Sequence, residues 1–212
     1  PGITYYVWAF AKNTNKPEVV YSERTVFPIC PSEFMVQHKG GENGAPADKT
    51  IMYKAVSTTL SGSQACWITQ NLGASQPAGI ANEDLTTSRG WFWRYTSTQG
   101  YSMDSGTREP LVDWGTAIGN GLASEDPCKL LLGFGWRMPT RTEWTNADNT
   151  SGWGTVDQAH ASILKLHAPG FIGYDGVYTA KGKAGAFWIS GGSYFRTGVV
   201  GEVTTAVYSG VN

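Results

Sequence analysis

Charge is what this sequence has least of. Only 16% of its 212 residues are Asp, Glu, Lys or Arg, against roughly 25% in an average domain, and the formal net charge is -1. No basic block is present, so the counterion release that drives nucleic-acid binding has nothing to act on, and nucleic acid is not expected as a partner. Long apolar runs are missing as well. None approaches the ~20 residues needed to cross a bilayer, so membrane insertion is not expected. Cysteine is scarce: Cys30, Cys66 and Cys128 lie far apart with no CxxC spacing, which disfavours zinc and redox motifs. One disulfide with a thiol left over, or three buried reduced cysteines, both fit that count. The chain opens "PGITYYVWAF", with neither Met nor a signal segment, and so reads as a processed or excised piece.

Aromatics and small residues stand in place of charge. Nine tryptophans and ten tyrosines accompany a hydrophobic content of 41%, enough for a real core. The 27 glycines and 10 prolines are too few for a disordered low-complexity chain. Hydroxyls, amides and aromatic rings must therefore form much of the surface.

Residues 3–10, "ITYYVWAF", and 19–27, "VVYSERTVF", are β-branched and aromatic runs flanking a turn-like "KNTNKP", which predicts an N-terminal β-hairpin. "PICP" at 28–31 reads as a linker, because two prolines flank the cysteine. "KTIMYKAVST" (49–58) and "ACWITQNLG" (65–73) read as strands, with a polar loop before the first. Residues 74–127 read as mostly irregular around a dense aromatic patch, "GWFWRY".

The stretch "GFGWRMPTRTEW" (133–144) carries the sharpest local signal. Pro139 cannot continue a ladder, Thr140 offers a side-chain oxygen to free N–H groups, and Glu143 can reach back, so T-x-x-E predicts a helix from about Thr140. Trp136 and Trp144 are expected to be buried and Arg137 to be held by hydrogen bonds. "DQAHASILKLHA" (157–168) predicts a second helix ended by Pro169-Gly170, with Ala161, Leu164 and His167, or Ile163 and Leu166, at helical spacing. Two short helices among several short antiparallel strands give an α+β chain.

"ACWITQNLG", "DPCKLLLGFGWRMPTRTEW" and "GAFWISGGSY" occur in an order that resembles the Fibrobacter succinogenes major paralogous (FISUMP) domain. Its "QCWMAENL", "GWRLPTxxEW" and "YWSST" segments follow one another in the same way. The "WRLPT" turn is also similar to one in formylglycine-generating and C-type-lectin-like proteins. The resemblance implies a C-type-lectin-like domain over 30–212, lacking its final strand, in secreted or surface-attached modules of Bacteroidota and Fibrobacter. Residues 1–28 resemble the C-terminal hairpin of an immunoglobulin- or fibronectin-like module. The family's cysteine positions imply a disulfide between Cys66 and Cys128, leaving Cys30 for the absent strand.

Catalysis is not expected. Formylglycine-generating chemistry needs two reactive cysteines late in the chain, and none follows Cys128. No G-x-S-x-G elbow accompanies the histidines. His160 and His167, seven apart, read as a repeated helix face, and His38 as a solvated loop residue. The carboxylates Glu83, Asp84, Asp104, Glu109, Asp113, Glu125 and Asp126 leave calcium open as a ligand without a D-x-D-x-D-G loop to organise it; no other cofactor is expected.

The expected function is that of a non-enzymatic extracellular surface module for adhesion or ligand binding. Trp91, Trp93, Tyr95, Tyr101 and Trp114 are the candidate ligand-binding residues, since aromatic faces stack on sugar rings, with core packing as the alternative. A carbohydrate-binding lectin-like domain and a subunit of a surface fibre assembled by strand complementation are the other two readings. Expected partners are neighbouring modules or identical subunits, a glycan, or a host or cell-surface protein.

Overall fold

The computed structural model describes residues 30–94, 97–110, 126–173, 175–190 and 195–197 in full, and only the backbone of the strands at 4–7, 10–12, 19–21, 25–28, 193–194 and 206–208. Over the N-terminal segment β1 (Thr4–Val7) pairs with β4 (Thr25–Pro28), and β2 (Phe10–Lys12) with β3 (Val19–Tyr21), all antiparallel. The two ladders are nested, the order a hairpin requires.

Residue parity organises the next sheet. In β6 (Lys49–Thr58) Ile51, Tyr53 and Ala55 are buried while Met52 and Lys54 face outward, the period-2 pattern of a strand covered on one face. It lies between β5 (Glu33–His38) and β7 (Ala65–Ile68) in an antiparallel meander. Sequence reasoning found β6 and β7 but not β5. Its inward residues, Phe34, Val36 and His38, include a histidine that no hydrophobic count scores.

The disulfide joins Cys30 to Cys66, with Cα atoms 5.3 Å apart, and leaves Cys128 as a thiol. This corrects the expected Cys66 to Cys128 pairing. The register that sets Glu33 opposite Lys54 puts Cys30 level with Ser57, the residue opposite Cys66, but on the other side of β6; two strand spacings would be about 10 Å, so the 5.3 Å separation shows that the chain ahead of β5 leaves the ladder and crosses toward β7. Cys128 instead sits in the first turn of a helix, its N–H bonded to the Asp126 carboxylate at 2.8 Å. The cross-link closes a separation of 36 residues, which contributes about 4 kcal/mol in the chain-entropy account.

The described residues hold four helices, twice the number expected. α1 (Thr86–Arg89) is a single turn, and α2 (Pro127–Leu132) starts on an Asp126 cap with Pro127 in its first turn. α3 (Arg141–Ser151) begins at the Thr140 to Glu143 capping box, as the sequence predicts. α4 (Val156–Ala161) also has a capping box, Thr155 to Gln158, but stops six residues in. The helix expected to reach 168 is cut short because the Ser162 hydroxyl donates to the Ala159 carbonyl at 2.6 Å and accepts the Leu164 N–H at 3.3 Å, local bonds that compete with the helix. Residues 166–170 then run through the interior, buried without a break.

Short strands complete this α+β chain: β8 (Phe92–Trp93) with β9 (Gly100–Tyr101), β10 (Phe171–Ile172) with β11 (Tyr178–Thr179), and β12 (Gly185–Ile189), β13 (Ser193–Thr197) and β14 (Ala206–Tyr208) in one sheet. The main core gathers around Trp144, whose ring stacks on Phe195 at 4.7 Å and 3° and meets Trp67 edge-on at 5.1 Å. Trp153, Leu164, Leu166 and Ile189 fill the remaining volume.

Candidate functional site

The 133–144 turn is held by two carboxylates. Asp126 accepts N–H groups from Cys128 and Lys129, capping α2, and its second oxygen accepts the Met138 N–H at 2.6 Å. Glu143 accepts both ends of the Arg137 guanidinium, the Thr140 N–H and the Thr140 hydroxyl. The Arg137 hydrogen bonds pull the Glu143 carboxyl down to about 2, and Glu143 in turn raises Arg137. Pro139 contributes its carbonyl to the Ser190 N–H at 2.9 Å, fixing the turn to the end of β12. Trp144 is buried, as expected. Trp136 is only half-buried: its ring stacks on Phe34 at 5.0 Å at the margin of the cluster around Ile51, Tyr53 and Leu132 rather than within it, which corrects the expected burial.

Of the five candidate ligand-binding aromatics, Trp91, Trp93 and Tyr101 come together in the interior at 6%, 8% and 4% exposure. His38 meets Trp91 edge-on at 5.1 Å, Trp93 lies 6.4 Å from Trp91, and the Arg108 guanidinium covers Tyr101 at 5.5 Å. Packing is tight enough that a Cβ on Gly73, where φ is +85°, would come within 2.3 Å of the Trp91 ring. These three rings are core, which corrects the stacking surface expected of them. Tyr95 and Trp114 lie outside the described residues, as do Asp113 and Glu125.

The titratable groups are also built into the frame. His38 is buried on β5 rather than solvated. Its Nε2 shares a 3.0 Å hydrogen bond with the Tyr53 hydroxyl, which also accepts the Gly73 N–H at 2.9 Å. Burial, aided by Lys49, lowers His38 to about 4, and burial raises Tyr53. His160 Nε2 lies 2.9 Å from the Ala78 carbonyl. His167 is 2% exposed, its Nε2 has no partner, and burial lowers it to about 4. Burial and the Asp126 carboxylate push the Cys128 thiol up. Arg89 bonds the Asp84 carboxylate and the Met103 carbonyl, each at 2.9 Å, and the Tyr178 hydroxyl donates to Asp84 at 2.9 Å. Among the described residues no three His, Cys, Asp or Glu side chains converge as metal ligands.

One surface concavity was not anticipated. An open groove of about 440 Å³ runs between the end of β6, the C-terminal end of α3 and α4. Thr58, Ser151 and Gln158 supply polar groups, and Leu60, Trp153 and Ile163 the apolar ones. Its one legible trace in the sequence was T-x-x-Q at 155–158, a second capping-box pattern that fixes Gln158 at the head of α4.

Compared with known proteins, the chain matches no family model, no curated protein and no solved structure. Among the described residues no helix is long and apolar enough to cross a membrane.

Proposed function

We propose that this chain is a non-catalytic, extracellular module that works by contact, with the C-type-lectin-like architecture that its resemblance to the FISUMP domain implies. The observation that carries this reading is the fate of the groups that titrate nearest neutrality. His38 is locked to Tyr53, His160 to a backbone carbonyl, His167 is sealed in the core, and the Cys128 thiol is held protonated. Among the described residues none of them stands in a cleft beside a nucleophile, where a general base works. The Cys30–Cys66 disulfide suits an oxidising compartment. Phe134, 94% exposed between two glycines of positive φ, offers an apolar contact residue.

The test pairs binding with turnover. The purified chain, immobilised and challenged with glycan and extracellular-matrix arrays, is expected to retain ligands without altering them. Hydrolysis of an ester, peptide or glycoside substrate, lost on His160→Ala, would overturn the reading.

A second reading, a subunit joined to its neighbours by strand addition, is favoured by the free edge of β5. The Ala55 N–H bonds the Ser32 carbonyl, so residues 34, 36 and 38 bond toward β6 and the backbone groups of Glu33, Met35 and Gln37 point away from it. Among the described residues no strand covers that edge, which is the template strand addition needs.

A further inference from the structure

We propose that the free edge of β5 pairs with the β5 edge of a second copy of this chain, about a two-fold axis through Met35. The proposal rests on the strand-addition reading and names its partner, register and symmetry.

The usable edge is short and symmetric. Glu33, Met35 and Gln37 turn their backbone groups away from β6, because Ser32 bonds Ala55 and the pairing alternates from there. Pro31, the next residue in that alternation, has no N–H to give. At the other end the Lys39 carbonyl already accepts the Glu42 N–H at 2.9 Å. The window between these stops is centred on Met35, as an isologous two-fold contact needs. It holds neither Lys nor Pro, the residues that most often blunt an exposed edge. The Cys30–Cys66 bond keeps the edge open by drawing the preceding chain to the β7 side of the sheet.

In this register Glu33 lies opposite Gln37 of the second copy, Met35 opposite Met35, and Phe34 opposite Val36. Met35 and Met52 already face each other on the outer side of the β5–β6 ladder, 58% and 45% exposed. Pairing joins them with their counterparts into one apolar row across both sheets, flanked on each side by a carboxylate that meets an amide instead of a like charge. On the inner side Phe34, Val36 and Trp136 form the half-buried margin of the cluster around Ile51 and Tyr53, and the same margin of the second copy covers it. Other registers match less well. An axis at Glu33 sets two carboxylates against each other, and an axis at Gln37 sets Met35 against Lys39. A slip of one residue sets the free groups against residues whose own backbone groups face β6.

The experiment follows self-association of the full chain by sedimentation velocity across a dilution series. A contact of this size lies at the weak end of protein interfaces, so association that stops at a dimer and reverses on dilution is expected. Met35→Pro removes an N–H that points away from β6 and so spares the chain's own ladder, and Met35→Lys places two like charges at the axis. Each variant should weaken the dimer about tenfold or more, Met35→Lys with the thermal midpoint of the dilute chain unchanged. In a mixture of isotope-labelled and unlabelled chains, a nuclear Overhauser effect between Phe34 Hα of one copy and Val36 Hα of the other should report the register, since such non-hydrogen-bonded pairs bring Cα atoms to about 4.5 Å. A chain that stays monomeric, a dimer that neither variant weakens, or assembly that grows past the dimer would overturn the two-fold pairing and leave addition of a different strand standing. Protection of the Glu33, Met35 and Gln37 amides from hydrogen exchange in the dilute monomer, showing the edge covered by the chain itself, would overturn both.

Discussion

Glu143 grips Arg137 through two short hydrogen bonds, 2.7 and 2.6 Å, while the same carboxylate closes the capping box on Thr140. One side chain thus sets the start of α3 and the path of the turn before it. Arg137 is 54% exposed at its side chain, so solvent screens the ion pair and the cap supplies most of the stabilisation. Glu143→Ala is expected to cost about 1–2 kcal/mol in urea unfolding at pH 7. Because the folded carboxyl is held down to about 2 against an ordinary 4.5, its contribution is present above pH 4.5 and is lost as pH falls toward 2. Equal losses for Glu143→Ala at pH 7 and pH 2.5 would contradict this.

Trp144 stacks on Phe195 and touches Trp67 and Phe187. Its truncation to Ala should cost about 3–5 kcal/mol, the range for emptying an aromatic core site. Trp136→Ala, at a half-buried position, should cost clearly less. Comparable shifts of the urea midpoint for the two variants would reverse the assignment of core and rim.

Peptide mapping without reduction should recover Cys30 linked to Cys66, with the partly exposed Cys128 alkylated slowly in the folded chain, because its thiol is held protonated, and readily after unfolding. The double variant Cys30→Ser, Cys66→Ser should lose up to about 4 kcal/mol, and Cys128→Ser little. A Cys128-containing disulfide peptide would refute the pairing.

His38 and His167 are both lowered to about 4 by burial, while Glu83 and Asp84 pull His167 the other way. In the unfolded chain each titrates near 6.5. Between those values the unfolded state binds more protons, so the contribution of the two histidines lowers stability as pH drops from about 6.5 to 4, and that contribution levels off below. His167→Leu should remove about half of that slope. It should also cost little at pH 5, since it replaces a buried nitrogen without a partner. Urea midpoints that stay flat from pH 7 to 4.5 in the parent chain would rule this out.

What was legible in the sequence was local. The Thr140 to Glu143 box and the alternation of β6 are patterns within one element, and both mark what the structure holds. The Asp126-Pro127 start of α2 is an equally local signal, a capping carboxylate followed by a proline in the first turn. The disulfide depends instead on two strand registers and on a chain that leaves the ladder ahead of β5 to cross toward β7. The burial of His38 depends on Tyr53 and Trp91, which arrive from 15 residues away and beyond. Aromatic density near Trp91 could not separate a surface from a core, because period 2 leaves either face free to turn inward until its neighbours are known. The groove is assembled from three elements, none of which bears a motif for binding.

The Cys30–Cys66 bond also decides how the chain would carry a mechanical load. Tension entering through the strands that precede Cys30 passes across the sulfur bridge straight to Cys66. The chain between them, β5 and β6 included, is excluded from the load path. Roughly 120 Å of extended backbone is thereby kept from paying out, and reducing the bond would release that length as the sheet is pulled open.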